Sequence, residues 1–269
     1  MLFMAKGNQK LALATDLAAL LEERDPLDKE AGVDINLRIE ALRRHRRDKL
    51  SNRKFDKIEI IADTYRKILK VTPLNGPVDP YDTGILLANA FPERIASASP
   101  GLRGGFQLSN GKVAILDQRD DLAHEPWLAV ALMDAGEDRG KIYMASPLNP
   151  KDLAPLVKKI NNISWDTKKG GLVANQELRI GSIILQMKKI SSPDVQRVTL
   201  AISEAIKREG KQLLVFDAEV SQLQNRILSL QKWNPNQEWP KMDTDTLLAN
   251  NHIWLGPYLH QINNVEDLK

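Results

Sequence analysis

Leucine and alanine recur at helical spacing over the first quarter of the chain. Leu11, Leu13, Ala14, Leu17, Ala18, Leu20 and Leu21 form one apolar stripe, which Pro26 ends. Asp34 precedes Ile35, Leu37, Ile39 and Leu42 as a predicted N-cap, and the last turns of this second helix carry Arg43 to Arg47. Asn52 is predicted to cap a third helix that turns Phe55, Ile58, Ile61, Ala62, Tyr65, Ile68 and Leu69 inward. Pro73 to Pro80 reads as a linker rich in Pro, Gly and Asn. Its end, Asp79-Pro80, sets an N-cap and a first-turn proline for a short helix through Ala90.

From Gly104 the period changes to that of strands. Gly105 to Leu108 and Lys112 to Leu116 flank Ser109-Asn110-Gly111, and Asn-Gly is a strong hairpin signal because its backbone tolerates positive φ. Trp127 to Met133 and Lys141 to Ala145 are two further strands around a turn at Gly136–Gly140. Short antiparallel strands of this kind predict a small barrel, of which the OB-fold is one version. Beyond Leu153 the types mix. Trp165, Leu172 to Leu178 and Ile183 to Met187 read as strands. Pro193 to Arg208, stopped by Gly210, reads as a helix, as do Leu213 to Leu230 and Thr244 to Asn250. The tail from His252 to Lys269 is expected to dock on this last part. The fold class is α+β: an N-terminal helical bundle (1–78), a small OB-like antiparallel β-barrel (79–150) and a mixed α/β C-terminal domain (151–269).

Composition narrows what such a chain does. Its 269 residues are 42% hydrophobic and 27% charged, ordinary values for a folded protein of more than one packed unit. There is no cysteine, which removes disulfides, zinc–cysteine sites and thiol catalysis and suits a reducing cytoplasm. Met1 to Lys10 lacks the apolar stretch of a signal peptide, and no run approaches the roughly 18 apolar residues of a membrane span. Charge is uneven. From Arg38 to Lys57 nine basic residues face three acidic ones, so this segment carries +6 of a net +3 and the rest of the chain sums to −3. Such a block is either an anion-binding patch, with nucleic acid the commonest partner, or a solvated helix face.

The motifs of nucleotide hydrolysis are missing from this sequence. A phosphate-binding loop ends in Gly-Lys followed by Ser or Thr, whose hydroxyl holds magnesium. Gly111-Lys112, Gly140-Lys141 and Gly210-Lys211 are followed by Val113, Ile142 and Gln212, and no Asp-Glu pair occurs. No catalytic residue or metal site is therefore assigned. His124-Glu125 begins like a zinc-protease motif, but Pro126 follows and no second histidine stands four residues on. His252 and His260 read as packing residues, Asp117, Asp120 and Asp121 as a solvated acidic loop, and Trp127, Trp165 and Trp254 as core. For nucleic acid the candidates are Arg43, Arg44, Arg46 and Arg47 of the basic block, Arg94 and Arg103 on the approach to the barrel, and Lys112 at the hairpin turn. Cations at loop edges neutralise phosphates without reading sequence. Phe106 could stack on a base or sit in the core.

Several segments, in order, resemble one family. They are Asp16-Leu-Ala-Ala-Leu-Leu-Glu-Glu-Arg-Asp-Pro-Leu27, Gly84-Ile-Leu-Leu-Ala-Asn-Ala-Phe-Pro-Glu-Arg-Ile-Ala96, Phe106-Gln-Leu-Ser-Asn-Gly-Lys112, Trp127-Leu-Ala-Val-Ala131, Trp239-Pro240 and Trp254-Leu-Gly-Pro-Tyr-Leu259. Together they are similar to the C-terminal region of bacterial DEAH-type ATP-dependent RNA helicases of the HrpB family. The resemblance implies a helical domain, an OB-like barrel and a family-specific C-terminal domain, attached to two motor domains that bind ATP and magnesium. It implies single-stranded RNA and the motor domains as partners, Arg94 and Lys112 as matched positions, and a phenylalanine at 106 where the family often has tyrosine. The motor motifs are absent, so Met1 is expected to mark a cut in a longer protein. An accessory RNA-holding module without ATPase activity is the first expectation, and a protein-docking module the second.

Overall fold

The computed structural model describes residues 8–27, 31–49, 51–134, 136 and 139–268. Most of the first ten residues, and part of the Gly136–Gly140 turn, lie outside these. The chain divides into two compact units, one of residues 1–158 with 179–185, the other of 159–178 with 186–269.

The first unit opens with α1 (Asn8–Glu22), α2 (Ile35–Asp48), α3 (Arg53–Leu69) and α4 (Pro80–Ala90). The caps are those the sequence predicts. Asp34 accepts a hydrogen bond from the Asn36 amide at 2.9 Å, Asn52 from Lys54 at 3.0 Å and Asp79 from Tyr81 at 2.9 Å. Each satisfies an amide that a helix start leaves without a partner. Leu13, Ala14, Leu17 and Leu20 of α1 are buried with Ile35, Ile39, Leu42, Ile58 and Leu87, and this core continues onto Ile95, Ala129 and Met144 of the neighbouring sheet. The helices thus lie against the barrel. Gly84 is where α4 comes closest: a Cβ there would stand 2.0 Å from the Pro147 carbonyl oxygen.

The barrel is closed, in the order β1-β2-β3-β5-β4, from β1 (Ile95–Ala98), β2 (Gly105–Leu108), β3 (Val113–Ile115), β4 (Trp127–Met133) and β5 (Arg139–Pro147). It departs from the sequence expectation twice. Ile95 to Ala98 is a strand rather than an approach loop, paired with both β2 and β4. The β3–β5 pair is parallel, so the barrel is not wholly antiparallel. Closure explains the first: with only two small alanines and a serine after Ile95 the strand signal is weak, yet β1 supplies the ladder that joins both edges. The interior is filled by Phe106, Leu108, Leu116, Leu128, Val130 and Ile142. Gly111 has φ +89, as the Asn-Gly turn requires.

The second part of the chain holds a three-stranded sheet in the order β6-β7-β8, made of β6 (Lys158–Asp166), β7 (Gly171–Ile180) and β8 (Ile183–Lys189). Four helices follow: α5 (Val195–Glu209), α6 (Ala218–Trp233), α7 (Thr244–Ala249) and α8 (Asn251–Trp254). Asp194 caps α5, and Gly210 at φ +59 ends it. Trp165, Val198, Ile202, Ile206, Leu213, Leu214 and Leu259 form the core of this unit. Three expectations fail here. Trp254 is 41% exposed, its indole nitrogen donating to the Leu247 carbonyl at 2.9 Å. His252 and His260 are exposed rather than packed, and the helix expected from Leu213 starts at Ala218, because Leu213 and Leu214 are drawn into the core ahead of it. Among the described residues no helix is long and apolar enough to cross a membrane.

Candidate nucleic-acid interface

The basic block does not present one uniform face. Asp16, on the buried side of α1, has no exposed surface. Three guanidinium groups converge on it: Arg46 Nη2 at 2.6 Å, Arg66 Nη1 at 3.2 Å and Arg43 Nε at 3.4 Å. Glu59 on α3 takes Arg46 at 2.8 Å and Arg66 at 2.5 Å. Spare donors close the 73–79 segment onto the bundle: Arg43 reaches the Gly76 carbonyl at 2.9 Å and Arg46 that of Leu74 at 3.0 Å. Arg38 is likewise buried, donating to Asp25 at 2.8 Å and to the Asp34 carbonyl at 2.9 Å. Burial lowers the Arg43 pKa and outweighs the opposing pull of Asp16 and Glu40. Burial acts the same way on Arg46, but hydrogen bonds to Glu59 and Asp16 outweigh it and raise the pKa. Arg43 and Arg46, read from the sequence as phosphate contacts, are therefore committed to carboxylates and carbonyls inside the fold.

Arg44 and Arg47, the other two, are exposed. Arg47 pairs with Asp48 at 2.9 Å. Around them Lys49, Arg53, Lys54 and Lys57 are exposed too. Sequence reasoning counted these toward the block but passed over them as contacts, because clustered arginines are the stronger motif.

The barrel separates the remaining candidates. Arg94 stands beside the β2–β3 tip, where the Ser109 hydroxyl donates to the Pro92 carbonyl. Its own guanidinium is partly occupied, donating to the Ala131 carbonyl at 3.0 Å and lying 4.9 Å from the Phe91 ring centre. Lys112 is exposed at that tip, next to an Asn110 side chain that accepts the Lys112 amide at 2.9 Å. The Ser182 amide donates to the Ser109 carbonyl there at 2.6 Å. Arg103 belongs to the opposite end of β2, in the turn after β1. It lines a cavity of about 440 Å³ with Leu102, Gly105, Gln118 and the exposed His124. Arg94, turned toward β4, and Lys112, at the β2–β3 tip, thus share one end of the barrel, and Arg103 lies at the other. Phe106 lies wholly inside the barrel, at 0% exposure, with no face open to a base. Of the acidic loop, Asp117 pairs with Arg119 at 3.2 Å, which holds Asp117 below the usual carboxylate range. Asp120 is not a solvated acid: it accepts from the Val33 amide at 2.9 Å and caps the 3₁₀ turn at Leu122 at 3.0 Å.

Comparison with known proteins gives the arrangement a context. The family model for the connector region of the ATP-dependent RNA helicase HrpB matches residues 156–189, the stretch that holds the three-stranded sheet. Over the whole chain, the sequence is 28% identical to the ATP-dependent RNA helicase HrpB of Escherichia coli (strain K12). Two crystal structures of the E. coli protein, described as a DExH-box NTPase and as a DEAH/RHA helicase, align over 98% of the chain at 28% and 27% identity, with TM-scores of 0.59 and 0.61. The chain spans about a third (32%) of the length of the helicase it matches. From end to end, it is thus to a C-terminal part of the HrpB family of ATP-dependent RNA helicases that this chain is similar.

Proposed function

We propose that this chain is an accessory region of an ATP-dependent RNA helicase, one that holds single-stranded RNA and carries no ATPase activity of its own. The observation behind it is the similarity to HrpB along the entire chain together with coverage of only a third of that protein. Binding and hydrolysis of ATP with magnesium belong, in this reading, to the motor domains that make up the rest of such a helicase in the cytoplasm. The strand order β1-β2-β3-β5-β4 supports an OB-like barrel, a platform suited to single strands. Exposed cations at Arg44, Arg47, Arg103 and Lys112, with the partly engaged Arg94, supply phosphate contacts. In the finer division, helices to residue 78, barrel to 150 and C-terminal part beyond have separate tasks, the first two within one compact unit. Filter binding of the intact chain to single-stranded RNA tests the reading. Affinity that falls steeply as salt rises is expected, since phosphate contacts release counterions; no RNA retained at low salt by the folded chain would overturn it.

One observation favours protein docking by the second unit. The sixteen-residue helix α6 has no buried residue, and Leu223, Leu228 and Trp233 on it are 48%, 49% and 75% exposed. Capture of helicase motor domains by the wild-type chain, lost on Leu223→Ser with Trp233→Ser, is the result this second role predicts.

A further inference from the structure

We propose that the corner where α2 turns into α3 is a phosphate track for single-stranded RNA, used without reading base sequence. The inference rests on the RNA-holding role proposed above and assigns it, beside Arg44 and Arg47 of the arginine-rich motif, to Lys49, Arg53, Lys54 and Lys57, which that motif does not single out.

The fold itself consumes three cations of the basic block. Arg38, Arg43 and Arg46 are bound internally to Asp25, Asp16 and Glu59. What remains between residues 44 and 57 is Arg44, Arg47, Lys49, Arg53, Lys54 and Lys57, all exposed. Both acids of the same stretch are engaged, Asp48 with Arg47 at 2.9 Å and Asp56 with His45 at 2.9 Å. Among the described residues Arg44, Arg53 and Lys57 have no carboxylate partner, and the Lys54 ammonium gives one hydrogen bond, to the Pro26 carbonyl at 3.3 Å.

Local structure gathers these charges. Lys49 adopts the left-handed conformation (φ 48) that ends α2, and Asn52 caps α3 three residues later. The last turn of one helix and the first turn of the next are therefore joined by only a few residues. Arg44 and Arg47 are one turn apart on α2, as are Arg53 and Lys57 on α3, and residues so spaced share a helix face. The internal network fixes this corner: Arg46 and Arg66 tie α2 and α3 to the same buried Asp16 and to Glu59. The cations are thus carried on a braced support.

Their chemistry selects the partner. Protein interfaces draw their affinity from aromatic and apolar anchors; among the described residues between 44 and 57 the large apolar side chain, Phe55, is buried, and a single exposed one, Ile60, stands one turn beyond Lys57 on α3. Six exposed guanidinium and ammonium groups with one apolar side chain at their margin fit a polyanion better than a protein partner. Lys and Arg on phosphates fix position and carry no sequence information.

The test uses the full chain with Arg44→Gln, Arg53→Gln, Lys54→Gln and Lys57→Gln together, all exposed positions outside the buried network. RNA affinity is measured against salt concentration on poly(U) and poly(A), with circular dichroism as a control for folding. Each phosphate contact on a single strand contributes about 0.7 to the log–log salt slope, so loss of these four reduces its magnitude by about 2–3, equally on both polymers. Wild-type RNA binding with an unchanged slope in the folded variant would overturn the inference and leave the RNA-holding role standing. Wild-type chain that ignores RNA but binds phosphatidylserine vesicles would overturn both. A loss confined to one polymer would show base reading and contradict the track as stated.

Discussion

Asp16 shows how a single residue sets the character of its surroundings. A carboxylate with no exposed surface is tolerable only when paired, and three arginines supply the pairing. Asp16→Ala would leave those guanidiniums buried without their shared acceptor, and a loss of about 3–5 kcal/mol in urea unfolding is expected. Asp34 poses the opposite case. Burial raises its pKa, opposed by hydrogen bonds from Asn36. Between the ordinary and the raised value the native state binds more protons than the unfolded chain, so this contribution to stability falls as pH rises through that window and is flat above it. Asp34→Asn keeps the cap acceptor and removes the charge, so at neutral pH its stability should equal or exceed that of wild type. Asp34→Ala loses the cap and should cost about 1 kcal/mol. Thermal unfolding of the two variants separates cap from charge. Asp34 was legible in the sequence as a cap. The burial of Asp16 was not, because its partners lie 27, 30 and 50 residues away and helical periodicity carries no information about contacts at that range.

At the scale of elements, sequence patterns found what local chemistry determines. Caps, the Gly210 stop and the Asn-Gly turn all follow from one or two residues, and all stand where expected. Strands fixed by their neighbours were harder to see. β1 is four residues with weak propensity, and β6 begins with Lys158-Lys159-Ile160-Asn161, all exposed, so that only Trp165 gave a signal. The packing of α4 on the barrel also depends on an absence, the missing side chain of Gly84. Gly84→Ala would drive a methyl group into the Pro147 carbonyl. A destabilisation of about 1–3 kcal/mol is expected from such overpacking, despite alanine's better helix propensity. Urea unfolding of the variant checks this, and a gain in stability would show that α4 does not lie so close to β5.

At the scale of the molecule, the same rule divides the candidate site. The excess of positive charge was readable from composition, but which cations face solvent depends on where Asp16, Asp25 and Glu59 arrive in the fold. The arginines that make the motif conspicuous at 43 and 46 are structural, while the less conspicuous lysines near the α2–α3 turn are open. Phe106 divides in the same way, since alternation in β2 is compatible with either face until the barrel closes around it. The two units then have distinct proposed tasks: cations and a barrel for RNA in the first, exposed α6 for a partner in the second. The most direct test of the whole account joins this chain to the motor domains of an HrpB-type helicase and measures RNA affinity beside the motor domains alone. Tighter RNA binding with the chain attached, lost progressively with salt, is the result predicted; equal affinity with and without it would contradict the account.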